Sequence, residues 1–195
     1  MKNIFLAFIV AAFFIAACNR GGTPAASPAA NAKAADAVGD TGKEAAGTSL
    51  ANASFKKLLS DYFKLKNALT ADEANHAAEA GQAIVVDFDH FDQSKLNAAQ
   101  KKTYTEIAED AREMAEHIGK SADRIPHQRE HFDMLSKDMY DLVKLFGAGQ
   151  PVYVDHCPMY NNRKGAIWLS EIKSIKNPYL GKSMPDCGSL KEELK

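Results

Sequence analysis

Hydrophobic residues recur at helical spacing through the middle of the chain and predict four amphipathic helices. The predicted helices cover residues 54–69, 71–91 and 95–118, and a fourth stretch that begins after Asp123 and stops at Gly147. Short connections between consecutive helices favour neighbours that run in opposite directions. We therefore predict an all-α fold, an antiparallel up-down four-helix bundle.

The hydrophobic pattern changes after Gly147. Val152-Tyr153-Val154 and Ile167-Trp168-Leu169 predict two short strands, because β-branched and aromatic residues are enriched there. Repeated prolines and glycines interrupt the rest of this tail, which is typical of turn-rich structure. We therefore predict an irregular C-terminal extension, about 148–195, that carries short strands.

The first residues are apolar over too short a stretch to span a bilayer comfortably. Lys2 is followed by a segment without charge up to Ala17, whereas a membrane-spanning helix needs about 20 apolar residues. This pattern predicts a secretory signal peptide over residues 1–17. The sequence Ile15-Ala16-Ala17-Cys18 resembles the lipobox of bacterial lipoproteins. The resemblance implies cleavage before Cys18 and diacylation of its thiol, which anchors the protein to a lipid bilayer.

Two other interpretations of this segment are an ordinary signal peptide with a chance cysteine and a buried helix. The polar, glycine- and proline-containing sequence directly after Cys18 favours lipidation. Export places the mature protein in the periplasm, an oxidising compartment. Asn19, rather than an aspartate, follows the cysteine, and the sorting rule of some Gram-negative bacteria then favours the outer membrane.

Residues 18–50 contain many small and polar residues and no aromatic residue. Such a composition cannot bury enough apolar surface to offset its ordering entropy, so it predicts a flexible linker after the lipidated N-terminus. A helix in the alanine-rich part is the alternative, but it would have no face to bury. Residues 51–195 are long enough for one domain with a hydrophobic core.

The charge balance argues against a nucleic-acid partner. The chain has 24 Lys+Arg and 25 Asp+Glu, a formal net charge of −1, whereas nucleic-acid binding calls for a basic excess. Catalysis is also not expected. Cys157 with His156 as its base would be the only nucleophile pair, and adjacent residues rarely orient correctly for that role.

Soft metal ligands are concentrated in two short segments of the tail, His156-Cys157-Pro158-Met159 and Met184-Pro185-Asp186-Cys187-Gly188. Thiolates and thioethers select Cu(I) or Ag(I), and a thioether is a poor ligand for zinc. The chain also lacks the closely spaced C-x-x-C pair common in zinc sites. We therefore predict a copper site, with silver as the alternative ion. Its predicted ligands are Cys157, Met159, Met184, Cys187 and His156.

The same two cysteines also fit a structural disulfide, since cysteines in an oxidising compartment commonly pair. A bond between Cys157 and Cys187 would close a loop of about 30 residues and contribute roughly 3–4 kcal/mol in the chain-entropy model. Met159 and Met184 would then fill gaps in the core. Sequence spacing leaves both interpretations open.

His127 and His131 are four residues apart and lie within about 40° of each other on a helix, an arrangement that suits a metal clamp. If the tail folds over the start of the fourth helix, His131 and Met134 would join the sulfur ligands. Two exposed histidines near a helix start are the simpler interpretation. We interpret His117 as a surface residue and Met114 as a core residue.

The tail also resembles the end of a bacterial family of uncharacterised helical domains, a domain of unknown function. The residues that carry the resemblance are the CPM sequence at 157–159, Gly165, Trp168-Leu169, Asn177-Pro178-Tyr179, Gly181, Met184 and Cys187-Gly188. The likeness extends back through Gln128-Arg129-Glu130, Leu135-Ser136 and the helix near Ser60-Tyr62.

Members of this family occur as stand-alone lipoproteins, and others are fused to the periplasmic adaptor subunits of copper/silver efflux pumps. The resemblance implies heavy-metal handling outside the cytoplasm, with an efflux adaptor as a partner. The expected function is therefore a membrane-tethered lipoprotein that buffers Cu(I) or Ag(I) or delivers the ion to an efflux system. The alternative is a structural or protein-interaction lipoprotein in which Cys157 and Cys187 form a disulfide.

Overall fold

A computed structural model describes residues 42–195 of the chain, and it describes side chains from Ala53 onward. The predictions for the signal peptide, for Cys18 and Asn19, and for most of the linker lie outside the described residues. Within residues 42–195, no helix is long and apolar enough to cross a membrane.

The structure confirms the four predicted helices. They are α1 (Gly42–Thr70), α2 (Ala74–Asp89), α3 (Ala98–Gly119) and α4 (Ile125–Phe146). Helix α1 begins further upstream than predicted, inside the alanine-rich segment, so that segment is helical from Gly42. The sequence explains the start of α3, where the Asn97 side chain accepts a hydrogen bond from the Gln100 N–H at 2.9 Å. The Gln100 side chain accepts one from the Asn97 N–H in return, which completes a capping box.

Consecutive helices pack on one another and share one hydrophobic core. Helices α2 and α3 approach most closely at Gly81, where an added Cβ would lie 2.9 Å from the Ala115 carbonyl oxygen. Only glycine leaves room for this contact between the backbones. Phe132 of α4 stacks on Tyr62 of α1 with ring centroids 5.3 Å apart, which ties the first helix to the last.

The tail is more regular than predicted and forms a three-stranded antiparallel sheet. Its strands are β1 (Val152–Cys157), β2 (Ala166–Ser170) and β3 (Ser189–Leu194), in the order β2-β1-β3. The two predicted strands are confirmed as β1 and β2. The sequence predicts an all-α fold with an irregular extension that carries short strands, and the structure is mostly helical with a small C-terminal sheet. Strand β3 escaped prediction because its sequence, SLKEEL, is charged and mostly exposed.

A buried hydrogen-bond network attaches strand β2 to helices α1 and α4. The Leu169 N–H donates to the Tyr62 hydroxyl oxygen at 3.0 Å, and that oxygen lies 2.8 Å from Ser136 Oγ on α4. Trp168 is fully buried beside Leu169. The helices therefore fix the position of β2, and β2 in turn fixes β1 through the register that pairs Cys157 with Ala166.

We expect Tyr62→Phe to lower the free energy of unfolding by about 1–3 kcal/mol, because the Leu169 N–H and the Ser136 hydroxyl both lose a buried partner. Urea denaturation followed by circular dichroism measures the loss. Tyr153→Phe is the matched control, since it removes a tyrosine hydroxyl from a partly buried position on β1. Equal stability of Tyr62→Phe and the wild type would contradict the role of this network.

Candidate metal centres

The sheet brings the two tail cysteines together. Cys157 is the last residue of β1 and is fully buried, and Cys187 lies just before β3. Because β3 pairs with β1 so that Ser189 faces His156, the chain entering β3 passes the end of β1. The two thiols are free and lie close together. Burial, together with the neighbouring Cys157 thiol, raises the pKa of Cys187 above its ordinary value.

Asn177 holds the segment that carries Cys187, and sequence reasoning assigned it no role at the site. Its side-chain N–H donates to the Cys187 carbonyl oxygen, and its backbone N–H donates to the Pro185 carbonyl oxygen at 2.7 Å. The amide oxygen of Asn177 accepts from the Tyr179 N–H at 2.8 Å and from the Leu180 N–H at 3.0 Å. Asn177 is itself fully buried, so it sets the position of Cys187 from the core side.

Met159 and Met184 lie at the surface, with 48% and 40% of their area exposed. This corrects the interpretation in which they fill gaps in the core. Each is nevertheless close in sequence to a thiol, and the Cys187 N–H donates to the Met184 carbonyl oxygen at 3.3 Å. Both methionine side chains are therefore partly exposed to solvent, and each lies within three residues of a cysteine in the sequence.

His156 lies on the opposite face of β1 from Cys157, because adjacent residues of a strand alternate between faces. Its ring packs against Gly165, whose φ of +79° and tight contact with the imidazole leave no room for a side chain. Burial, and secondarily the charge of Lys191, lowers the pKa of His156. The structure thus brings Cys157 and Cys187 together and turns His156 away from them.

His127 and His131 lie at the start of α4 and face α3. His131 Nε2 is 3.2 Å from His127 Nε2, and His131 Nδ1 is 3.4 Å from Met114 Sδ. The His117 ring stacks on the His131 ring with centroids 4.4 Å apart. One ring nitrogen from each of the three histidines lies within 4.8 Å of the others. Burial, together with His117 and His127, lowers the pKa of His131, so its imidazole is neutral at neutral pH.

The tail does fold over the start of α4, but it contacts the face of the helix that carries Arg129 and Phe132, not the face that carries His127 and His131. Arg129 donates to the Pro178 carbonyl oxygen at 2.7 Å, and Phe132 packs on Tyr179 with ring centroids 5.5 Å apart. His127 and His131 make their described contacts with each other and with α3. The histidines therefore form a cluster of their own and do not extend the tail's sulfur ligands.

Sequence reasoning missed His117 and Met114 as members of this cluster. The signal was present, because residues 120–124 form a short connection between α3 and α4. A short connection places the last turn of one helix beside the first turn of the next. Met114 and His117 are three residues apart on α3 and share a face, as His127 and His131 do on α4.

A groove next to the histidine cluster contains a carboxyl group that resists ionisation. The groove is lined by Met114, Met134, Lys137, Asp110 and Asp138. Burial, reinforced by the like charges of Asp110 and Asp141 and opposed by Lys137, raises the pKa of Asp138 to about 6. The folded protein therefore retains a proton that the unfolded chain releases near pH 4.

We expect stability to fall as the pH rises from about 4 to about 6, because the raised pKa of Asp138 penalises its ionisation in the fold. Asp138→Asn should make this fall shallower, because Asp138 then no longer contributes to it, and should stabilise the domain at pH 7 by about 1–2 kcal/mol. Urea denaturation at several pH values measures the effect. The exposed Asp123→Asn is the control that keeps the pH dependence, and an unchanged slope in Asp138→Asn would refute the assignment.

Residues 58–151 match the model of a family described as a protein of unknown function (DUF3347). The match confirms a domain of unknown function, as the sequence resemblance implied. It covers the C-terminal part of α1 from residue 58 and the whole of α2, α3 and α4, and it ends before β1 and the cysteines of the tail. No curated protein and no solved structure matches the chain.

Proposed function

We propose that the protein is a membrane-tethered, extracytoplasmic lipoprotein that binds Cu(I) or Ag(I) and buffers the ion or delivers it to a heavy-metal efflux system. The observation that carries the proposal is that the free thiols of Cys157 and Cys187 lie close together. Two adjacent thiolates are a soft donor pair, and soft donors select monovalent copper and silver.

The surroundings of the thiols suit an ion that enters and leaves. Cys157 is buried, whereas Met159 and Met184 are exposed beside the segments that carry the thiols. An exposed thioether is a weak, soft ligand that accepts the ion first and passes it to a thiolate. Binding of one Cu(I) by both thiolates releases two protons, because a thiol coordinates as the thiolate.

The remaining parts of the proposal concern location, partner and architecture. Lipid on Cys18 would hold the domain at a membrane facing the periplasm, and Asn19 favours the outer membrane. A heavy-metal efflux adaptor is the proposed partner, and the charge balance argues against nucleic acid. We also infer that the four helices form an antiparallel up-down bundle, which their short connections and consecutive packing support.

A competition titration tests copper binding. The purified, reduced full-length protein is titrated with Cu(I) against a coloured Cu(I) chelator, and we expect one equivalent to bind more tightly than micromolar. Cys157→Ser and Cys187→Ser should each weaken binding at least 100-fold, because serine offers no soft thiolate. Met139→Leu, a change in the helical core, is the control that leaves the affinity unchanged. Binding no tighter than micromolar in the wild type would sink the proposal.

The alternative function is a structural or protein-interaction lipoprotein, and the same closeness of Cys157 and Cys187 favours it in an oxidised protein. Mass spectrometry of the protein purified without reductant, with free thiols alkylated, counts the two hydrogens that a disulfide removes. A fully formed bond that resists reduction supports the structural role. A bond that glutathione reduces readily supports a redox gate on metal uptake, since only the thiolates bind the ion.

A further inference from the structure

A second group of metal ligands lies between the last turn of α3 and the first turn of α4, separate from the tail cysteines. It consists of His117, His127 and His131, with Met114 and Glu130 beside them. Imidazole nitrogens suit divalent first-row ions, whereas the thiols of the tail suit monovalent ones. The two groups therefore differ in chemistry as well as in place.

We propose that His117, His127 and His131 bind a divalent transition-metal ion that accepts tetrahedral imidazole coordination, with Zn²⁺ as the representative ion. This site is independent of the proposed thiol site, because no residue is shared between them. A water molecule would complete the coordination, as at zinc sites with three protein ligands.

Hydrogen bonds at the Nδ1 atoms of His127 and His131 determine which nitrogen of each ring carries the proton. His127 Nδ1 lies 3.3 Å from the Glu130 carboxylate, which accepts only, so this nitrogen carries the proton. His131 Nδ1 lies 3.4 Å from Met114 Sδ, also an acceptor only, so the same nitrogen of His131 donates to it. In a neutral imidazole the other nitrogen is then an acceptor. When both rings are neutral, both Nε2 atoms therefore present lone pairs.

These two lone pairs point at each other, since the Nε2 atoms of His127 and His131 are 3.2 Å apart. Two acceptors in such contact repel unless a proton or a metal ion lies between them. Two nitrogens bound to one tetrahedral zinc ion at about 2.0–2.1 Å are about 3.3 Å apart. The observed separation thus matches the edge of a metal coordination tetrahedron.

The neighbouring groups fit the same role. A carboxylate or another acceptor on the second ring nitrogen is the usual partner of a metal-binding histidine, and it fixes the tautomer and the ring orientation. Glu130 and Met114 occupy these positions for His127 and His131. Glu113 lies 3.6 Å from His117 Nε2 and adds a second negative charge near the ion. His117 is exposed, which leaves a path for the ion to enter from solvent.

Cobalt is the probe for this site, because Co²⁺ takes the tetrahedral geometry of Zn²⁺ and is visible in absorption. The purified full-length protein in mild detergent is titrated with Co²⁺ alone, and Zn²⁺ is then added to displace it. We expect one equivalent to bind with micromolar affinity or better and to give visible d–d bands. We expect no sulfur-to-cobalt charge-transfer band in the near ultraviolet, because the ligands are imidazoles.

Three variants locate the ion. His131→Gln and His127→Gln should each weaken Co²⁺ binding at least 30-fold, and His117→Gln at least tenfold. His76→Gln, an exposed histidine on α2 beside Glu73, is the matched control and should bind as the wild type does. Circular dichroism and the melting temperature establish that each variant remains folded.

The result of the Co²⁺ titration distinguishes the histidine site from the thiol site. Absence of d–d bands in the wild type overturns the proposal. The ion between the Nε2 atoms of His127 and His131 would then be a shared proton. An unchanged Co²⁺ affinity in His131→Gln also overturns the proposal. A charge-transfer band would assign the ion to Cys157 and Cys187 instead. Because that band reports only sulfur, failure of the histidine site and failure of the proposed copper site remain distinguishable.

Discussion

Replacement of Arg129 with alanine is expected to lower the free energy of unfolding by about 3–5 kcal/mol, because two partly buried carbonyl oxygens and the Asp72 carboxylate would lose their donor. The Arg129 guanidinium donates to the Pro178 carbonyl oxygen at 2.7 Å and to the Leu69 carbonyl oxygen at 2.9 Å. It also donates to Asp72 at 2.5 Å, and Asp72 accepts from the Lys182 N–H at 3.0 Å. One side chain therefore joins α4, the end of α1 and the tail.

The charge of Asp72 and the close approach of Gly181 both constrain the contact around Arg129. Burial by itself would raise the pKa of Asp72, but the Lys182 N–H and the Arg129 guanidinium lower it, so the carboxylate stays ionised. Gly181 has a φ of +53°, and a Cβ there would overlap both Asp72 and Arg129. The contact thus depends on glycine as well as on the charged pair.

Chemical denaturation of Arg129→Ala beside the wild type measures this effect. Arg129→Lys should fall between the two, because lysine keeps the charge but lacks the planar fork that reaches several acceptors. The exposed Arg163→Ala is the control for loss of a positive charge in the same domain. A loss of less than 1 kcal/mol in Arg129→Ala would show that the tail is held mainly by apolar packing.

Glu171→Ala is the second change for which we expect a loss of about 3–5 kcal/mol, since it removes one partner of a buried ion pair. Lys66 of α1 is fully buried, and its ammonium lies 2.8 Å from the Glu171 carboxylate. Asn67 donates to the other oxygen of that carboxylate at 2.8 Å. Without Glu171 the ammonium would have no acceptor within hydrogen-bond reach among the described residues.

The pH dependence of this pair has a definite sign. Burial alone would raise the pKa of Glu171, but the hydrogen bonds from Lys66 and Asn67 lower it below its ordinary value. The pair therefore contributes its stability above the ordinary glutamate pKa of 4.5, and the contribution is lost as the pH falls through the folded-state pKa. Asp155 is also buried near Lys66, and burial, opposed by the lysine, raises its pKa to about 6.

A double mutant tests whether the stability lost in Glu171→Ala comes from the unpaired charge of Lys66. Lys66→Met with Glu171→Ala should recover part of the stability lost in Glu171→Ala, because no unpaired ammonium then remains buried. Glu171→Gln keeps an acceptor for Lys66 and should cost less than Glu171→Ala. The exposed Glu193→Ala is the control. Equal stability of Glu171→Ala and the double mutant would contradict the assignment of the penalty to Lys66.

The sequence by itself determined the parts of the fold that depend on local pattern. Periodic apolar residues located the four helices, and Asn97 followed by Gln100 set the start of α3 through bonds within one turn. Apolar β-branched and aromatic runs located β1 and β2. The start of α1 at Gly42 was missed, because the alanine-rich segment carries no apolar face that periodicity could detect.

Only the tertiary structure decided which distant residues meet. Strand β3 is charged and exposed, so its pairing with β1 gives it a structure that its own sequence does not specify. That pairing places Cys187 beside Cys157 and turns His156 away, while the short connection between α3 and α4 brings His117 to His127 and His131. Sequence spacing identified the ligand types, but strand register and helix packing fixed their distances, since contacts far apart in sequence depend on how whole elements dock.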